Sequence, residues 1–345
     1  MKTLIAMSGG VDSAVAAYLL KEAGQDCSGG IMDLCSADLL GAPPPDSAAD
    51  AAAVAARLQI PFYRFDCTQR FREAVVEDFI RTYEEGGTPN PCITCNRQLK
   101  FGEFLDRAIT LGFDSIATGH YARILRSPET GRFLLCRAVD RSKDQTYFLY
   151  GLTQQQLAHT QFPLGALTKP EVRQIAQEQG FLNARKRDSQ DICFIPDGDY
   201  VEFIRRYTGK AYPEGDFLDR EGKVVGRHKG ALCYTIGQRK GLGIALGAPV
   251  YVCGKDMAAN TVTVDGNDAL MATELMATDW NWIAIEPPTQ PIRVMAKVRY
   301  RHTEQPATVY PEGRVVFDTP QRAITPGQAV VLYDGDTVLG GGTIV

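Results

Sequence analysis

Over the first 120 residues, short apolar runs alternate with segments whose apolar positions recur every three or four residues. Thr3 to Met7 is an apolar run of strand length, whereas Val15, Ala16, Leu19 and Leu20 keep helical spacing until Gly24 breaks it. The same reading predicts strands near 27–32 and over 60–66 and 115–118, with helices over 13–23, 46–58, 70–83 and 100–111. This alternation predicts an α/β domain, a Rossmann-like parallel sheet with helices on both faces. Ligands of such sheets gather at the carboxyl ends of the strands, which is where the 8–13 turn, Met32 and Gly119–His120 fall.

From about Gly198 the pattern shortens into segments punctuated by Gly and Asp. Beyond Tyr251, Val, Thr and Tyr alternate between turns, and Asp265–Gly266 and Asp334–Gly335 mark hairpins. The expected organisation is an α/β domain over 1–195, a small central domain over 196–258 and a C-terminal antiparallel β-barrel over 259–345.

Composition narrows the setting. A chain of 345 residues with 44% hydrophobic content buries more core than one domain usually holds. It shows no apolar run of membrane-spanning length and no charged-then-apolar leader, so the expectation is a cytoplasmic protein without a membrane partner. Nine scattered cysteines, an odd number, point to free, ligating or catalytic thiols rather than a disulfide framework. A net charge of −4 argues against a general nucleic-acid coat, though Arg185–Lys186–Arg187, Arg205–Arg206, Arg239–Lys240 and Arg299–Tyr300–Arg301–His302 are local basic patches.

Candidate chemistry starts in the first turn, "AMSGGVDS". The N–H groups opening a helix lack intrahelical partners and suit a phosphate, Gly9 and Gly10 permit close backbone approach, and Ser8 and Ser13 add hydroxyls. Asp12 beside phosphates requires a cation such as Mg²⁺, unless Asp12 or Ser13 merely caps the helix of an ordinary βα turn. The G-x-x-x-x-G-K-[ST] signature is absent. A second unusual stretch is "GGTPNPCITCNRQLKF". Pro89 and Pro91 predict an extended loop, with 84–96 as a candidate lid, and Cys92 and Cys95 stand in C-x-x-C spacing ahead of a helix starting near Lys100. Placed there, with Arg97 and Lys100 nearby, a thiol would be acidified, but half a zinc site, a redox pair or two packed thiols share that spacing. Cys193, in "RKRDSQDICFIPDGD", reads by itself as a buried core thiol.

The stretch Ser8–Ser13 resembles the SGGxDS signature of the PP-loop ATP pyrophosphatases, which activate a carbonyl-type oxygen as an adenylate and release pyrophosphate. The ordered set SGGVDS (8–13), TPNPCITCN (88–96), GHYAR (119–123), KDQTYFLY (143–150), KRDSQDICFI (186–195), GQRKGLG (237–243) and TPGQ (325–328) resembles the bacterial tRNA-specific 2-thiouridylases of MnmA type over nearly the whole chain. The resemblance makes 1–195 the adenylating PP-loop domain and the barrel a tRNA contact. It implies ATP and Mg²⁺, and as substrate the anticodon region of tRNAs for Lys, Glu and Gln, with no role for DNA. The wobble uridine there is already unpaired, which lowers the cost of turning it out.

Carried over by position, Ala6, Met7, Ser8, Gly9, Gly10, Val11, Asp12, Ser13, Met32 and Gly119 would bind ATP. His120, Lys143, Asp144, Gln145, Arg299, Tyr300 and Gln328 would contact tRNA. Cys193 matches the persulfide carrier, supplied by a persulfide or sulfide donor protein and ionised near Arg185, Lys186 and Arg187. Cys95 matches the nucleophile that cleaves the persulfide and ends in a Cys95–Cys193 disulfide. The chain departs from the commoner pattern at Cys92, where many members carry Asp. Cys92, Cys95 and Cys193 could instead hold an iron–sulfur cluster, or Cys92 could be a spare resolving thiol. A small-molecule amide ligase using the same adenylation, and an RNA-binding protein without catalysis, are the competing classes.

Overall fold

The computed structural model describes residues 1–43, 46–181, 183–184 and 192–345. The first domain is built on five parallel strands in the order β3 (Phe62–Asp66), β2 (Asp26–Asp33), β1 (Lys2–Ala6), β4 (Ser115–Thr118), β7 (Thr160–Gln161). The helices Val11–Glu22 and Ser47–Arg57 form where the apolar spacing predicts them. Leu4 and Ile5 alternate between two cores, the first facing Phe65, Phe104 and Ile116 and the second facing Val15, Ala17 and Val172. That division is the period-two consequence of a sheet covered on both faces.

Two helical runs are longer than expected. Residues 68–84 and 91–110 are each continuous, and each contains a wider π-helical stretch, Arg72–Val76 and Asn96–Glu103. The second run begins at Pro91, with Asn90 in the cap position, instead of near Lys100. Proline lacks only an N–H that the first helical turn would leave unpaired, so Pro91 starts the helix rather than delaying it.

The central sheet has the order β10 (Tyr251–Asp256), β11 (Thr261–Asp265), β8 (Gly215–Leu218), β9 (Val224–His228). Residues 261–265 therefore pair inside this sheet, not in the C-terminal barrel where the sequence reading places them. Val262 and Val264 are buried with Phe217, Tyr234 and Val252 in a core of their own, which fixes the strand there. The barrel closes from six antiparallel strands, β12 (Met271–Trp282), β15 (Arg314–Arg322), β14 (Gln305–Val309), β13 (Ile292–Lys297), β16 (Ala329–Asp334) and β17 (Thr337–Ile344), with β12 pairing back to β17. A hairpin from the first domain, β5 (Ala122–Arg126) and β6 (Phe133–Arg137), extends the same sheet through the Cys136–Thr337 pair. No helix among the described residues is long and apolar enough to cross a membrane.

The first domain and the barrel share one core. Tyr147 is fully buried and its hydroxyl donates to the Ala329 carbonyl at 3.0 Å, and Asn281 Nδ2 donates to the carbonyls of Tyr150 and Leu152 at 2.6 and 2.9 Å. Gly341 lies beneath Tyr150, so close that a Cβ there would stand 2.6 Å from the ring and 2.8 Å from the Val330 carbonyl oxygen. Gly341→Ala is expected to overpack this junction and lower stability by about 1–3 kcal/mol, read as a fall in Tm.

Candidate active site

The turn after β1 is folded on itself. Ser13 Oγ accepts from the Ser8 N–H at 3.1 Å and donates to the Gly10 carbonyl at 3.1 Å. Gly9 has φ +69° and would, with a Cβ, meet the Ser47 carbonyl oxygen at 2.7 Å, so the left-handed turn and the close approach both require glycine. The helix is capped by Gly10 without a side-chain bond, so neither Asp12 nor Ser13 is the cap. Gly119, at the end of β4, packs directly on this helix start: a Cβ there would lie 2.8 Å from Asp12 C and Ser13 N.

Asp12 is held by two groups that the sequence reading did not single out. Lys169 Nζ donates to its two carboxylate oxygens at 2.7 and 2.8 Å, and Tyr121 Oη donates to Oδ1 at 2.9 Å. Lys169 is only 7% exposed and opens the helix Lys169–Glu178, whose Thr168–Glu171 capping box fixes where that helix begins. A cation thus stands beside Asp12 as an ammonium of the chain itself. Among the described residues no three His, Cys, Asp or Glu side chains converge into a metal-holding group. Cys92, Cys95 and Cys193, the alternative cluster ligands, are all described and do not form one, so no step is routed through a cluster.

A cavity of about 1000 Å³ opens over the carboxyl ends of β1, β2 and β4. Ala6, Met7, Ser8, Asp12 and Ser13 line one side, and Met32, Gly119, His120 and Gln145 line others. Gly9 and Gly10 shape the turn behind this wall, and Val11 is buried. His120 is bonded through Nδ1 to Thr118 Oγ1 at 2.7 Å and sits between Phe101 and Phe162; burial holds its pKa well below the ordinary imidazole value, so the ring is neutral.

Cys193 also lines this cavity and is exposed, contrary to the expectation of a core thiol. The core positions are its neighbours Phe194 and Ile195, and Phe194 packs on Phe71 and Phe79. Cys35, two residues past β2, lies in the same cavity wall. The two thiols act on each other: Cys193 lowers the Cys35 pKa, and Cys35 together with burial raises that of Cys193. Cys35 was missed; its one signal is its position just beyond the strand end at Met32. Cys92 and Cys95 lie in the first turns of the helix from Pro91, Cys92 exposed and Cys95 buried. The expected acidification of this pair is not found. Loss of hydration raises both, Cys95 to about 12, against the opposing field of Lys100.

The remaining expected tRNA residues are spread along the junction with the barrel. Asp144 is buried, accepting from the Ala138 N–H at 3.0 Å and Thr146 Oγ1 at 2.6 Å, which are structural bonds. Arg299 donates to the Arg322 carbonyl at 2.8 Å, and Tyr300 lies 4.4 Å from the Phe148 ring, centroid to centroid. Gln328 Nε2 donates to the Thr88 carbonyl at 2.8 Å while the Thr88 N–H donates to Pro326, so the barrel straps the 85–90 segment. The rest of the expected 84–96 lid is helix. Lys143 is half-buried beside Asp144, and Arg185, Lys186 and Arg187 lie outside the described residues.

Family models match the chain in three consecutive parts: the tRNA methyl transferase HUP domain over residues 1–197, the tRNA methyl transferase PRC-barrel domain over 201–265 and the aminomethyltransferase beta-barrel domain over 272–344. The tRNA-specific 2-thiouridylase MnmA of Clostridioides difficile (strain 630) is 47% identical over 352 residues, 99% of this chain and 98% of the relative. The protein of that description from Moorella thermoacetica is 49% identical over 353 residues, with 99% and 98% covered. At this identity over essentially full length, the chain belongs to the tRNA-specific 2-thiouridylase family of MnmA type.

Proposed function

We propose that this chain catalyses ATP-dependent 2-thiolation of the wobble uridine in tRNAs for Lys, Glu and Gln. The observation that carries the reading is one cavity bounded by both the Ser8–Ser13 turn and the Cys193 thiol. An anion site and a sulfur nucleophile are needed within reach of one base. A small-molecule ligase would need only the first, and a passive RNA-binding protein would need neither.

In this reading the turn and helix start hold the phosphates of ATP, while Lys169 keeps Asp12 neutralised so that the carboxylate does not repel them. Mg²⁺ accompanying ATP would offset phosphate charge. The uridine C2 oxygen attacks the α-phosphate and displaces pyrophosphate, making that oxygen a leaving group. The terminal sulfur of a Cys193 persulfide then bonds to C2 and AMP departs with its electron pair. Cys95, as thiolate, attacks Cys193 Sγ and breaks the sulfur–sulfur bond. Sulfur stays on the base carrying the bond's electron pair, and the two cysteines end as a disulfide. Because burial keeps Cys95 protonated at neutral pH, it must lose its proton only once the persulfide is engaged.

Neutral His120 and Gln145 line the cavity that an extruded base would enter, Lys143, Arg299, Tyr300 and Gln328 are the candidate tRNA contacts, and Asp144 holds the backbone there through Ala138 and Thr146. A persulfide donor protein would load Cys193 by passing on its outer sulfur and keeping a thiol itself, and a cytoplasmic setting with no DNA partner suits this substrate.

The test is an anaerobic reaction with unmodified tRNA-Glu, ATP-Mg²⁺ and a small-molecule persulfide donor, with AMP and 2-thiouridine quantified together. Cys193→Ser is expected to keep the adenylating half, seen as pyrophosphate release, and to form no 2-thiouridine; 2-thiouridine at the unsubstituted rate would contradict the assignment of Cys193. Lys169→Met leaves Asp12 uncompensated and is expected to cut AMP formation about a hundredfold. The paired Lys169→Met, Asp12→Asn variant has no carboxylate left to repel phosphate and should regain both thermal stability and most of the AMP formation. AMP formation still lost in a folded pair would contradict charge neutralisation as the role of Lys169.

A further inference from the structure

The cavity wall contains a thiol that the proposed chemistry leaves unused. Cys35 lies between β2 and the short helix Ala37–Leu40 and lines the same cavity as Cys193. The three thiols differ in access. Cys193 is exposed, Cys35 is half-buried, and Cys95 is 8% exposed within the large core against which Cys35 also packs. If sulfur transfer ends in a Cys95–Cys193 disulfide, one half of that bond sits in the core, so a dissolved reductant can attack it only at Cys193. Thiol–disulfide exchange depends on which sulfur the attacking thiol can reach. Cys35 shares the cavity wall with Cys193.

We infer that Cys35 is the resolving thiol of Cys193, converting the Cys95–Cys193 disulfide into a Cys35–Cys193 disulfide in the cavity wall. This rests on the thiolation reading above and extends it to turnover. In the exchange, a bond forms between Cys35 Sγ and Cys193 Sγ while the Cys95–Cys193 bond breaks. Cys95 leaves with the electron pair and takes up the proton that Cys35 has lost, so nothing is oxidised or reduced overall. A dithiol reductant in solution then opens the Cys35–Cys193 bond, becomes a disulfide itself and returns both cysteines as thiols. Cys95 is re-formed buried and reduced, ready for the next persulfide. Serine at position 35 would retain the size but could not exchange.

The experiment uses persulfide-loaded protein with tRNA-Glu and ATP-Mg²⁺ for one turnover without reductant, followed by alkylation at low pH and mapping of disulfide-linked peptides. The unsubstituted protein should carry the Cys35–Cys193 link. Cys35→Ser should stall with Cys95–Cys193, and its steady-state rate with dithiothreitol should fall about tenfold, because the reductant must reach a half-buried bond. A map showing only Cys95–Cys193 in the unsubstituted protein overturns the inference, as does an unchanged steady-state rate in Cys35→Ser. The map of the unsubstituted protein needs no variant, so misfolding of Cys35→Ser leaves the question decidable. If the unsubstituted protein forms neither AMP nor 2-thiouridine, the thiolation reading fails separately. The Cys35–Cys193 pairing is then judged by diamide oxidation without tRNA, where that link supports it and any other pairing overturns it.

Discussion

The ion pair between Lys169 and Asp12 is the interaction on which the site depends. It places a carboxylate in the first turn of a helix whose N-terminus is proposed to hold phosphates, an arrangement that would be self-defeating without a matching cation. It also joins pieces distant in sequence: the turn after β1, Tyr121 just past β4, and the helix that begins at Lys169. Gly119 completes the junction by allowing the end of β4 to lie against the backbone of Asp12 and Ser13. The carboxyl ends of the strands are thereby locked around one cavity, and the long excursion through the hairpin β5–β6 returns the chain to it.

The barrel acts on this cavity indirectly. It shares a core with the first domain through Tyr147, Tyr150 and Gly341, and it fixes the 85–90 segment through Gln328 and Pro326. That segment leads straight into the helix carrying Cys92 and Cys95. A contact between barrel and tRNA would therefore bear on the same strap that positions the thiol helix. Gln328 illustrates this double position, since its amide group is engaged with the protein at the edge of a surface proposed for RNA.

Much of the first domain was legible because local and tertiary signals agree there. A continuous apolar run and the period-3.6 patterns place β1, the helix Val11–Glu22 and the helix Ser47–Arg57 within a residue or two. Two prolines suggest a loop where the helix from Pro91 begins, although proline is compatible with a first helical position. The boundary after the central sheet was set too early because Val–Thr alternation looks alike in either sheet; pairing of β11 with β8, a tertiary fact, decides it. Lys169 was invisible for a related reason: within "TKPE" the local signal is a capping box, and its reach to Asp12 spans 157 positions. Cys193 shows the opposite error, for the apolar residues after it suggested a core position that belongs to Phe194 and Ile195. The cavity wall shared by Cys35 and Cys193 likewise exists only in the fold.

The central claim is that the uridine C2 oxygen is adenylated in the cavity that presents Cys193. The most direct measurement is the fate of that oxygen, using tRNA-Glu carrying a heavy oxygen isotope at C2 of the wobble uridine and following the label by mass spectrometry. The account predicts that the label appears in AMP, one labelled AMP for each 2-thiouridine formed. Label released to water, with AMP unlabelled, would mean that sulfur replaces oxygen without passing through an adenylate and would contradict the account.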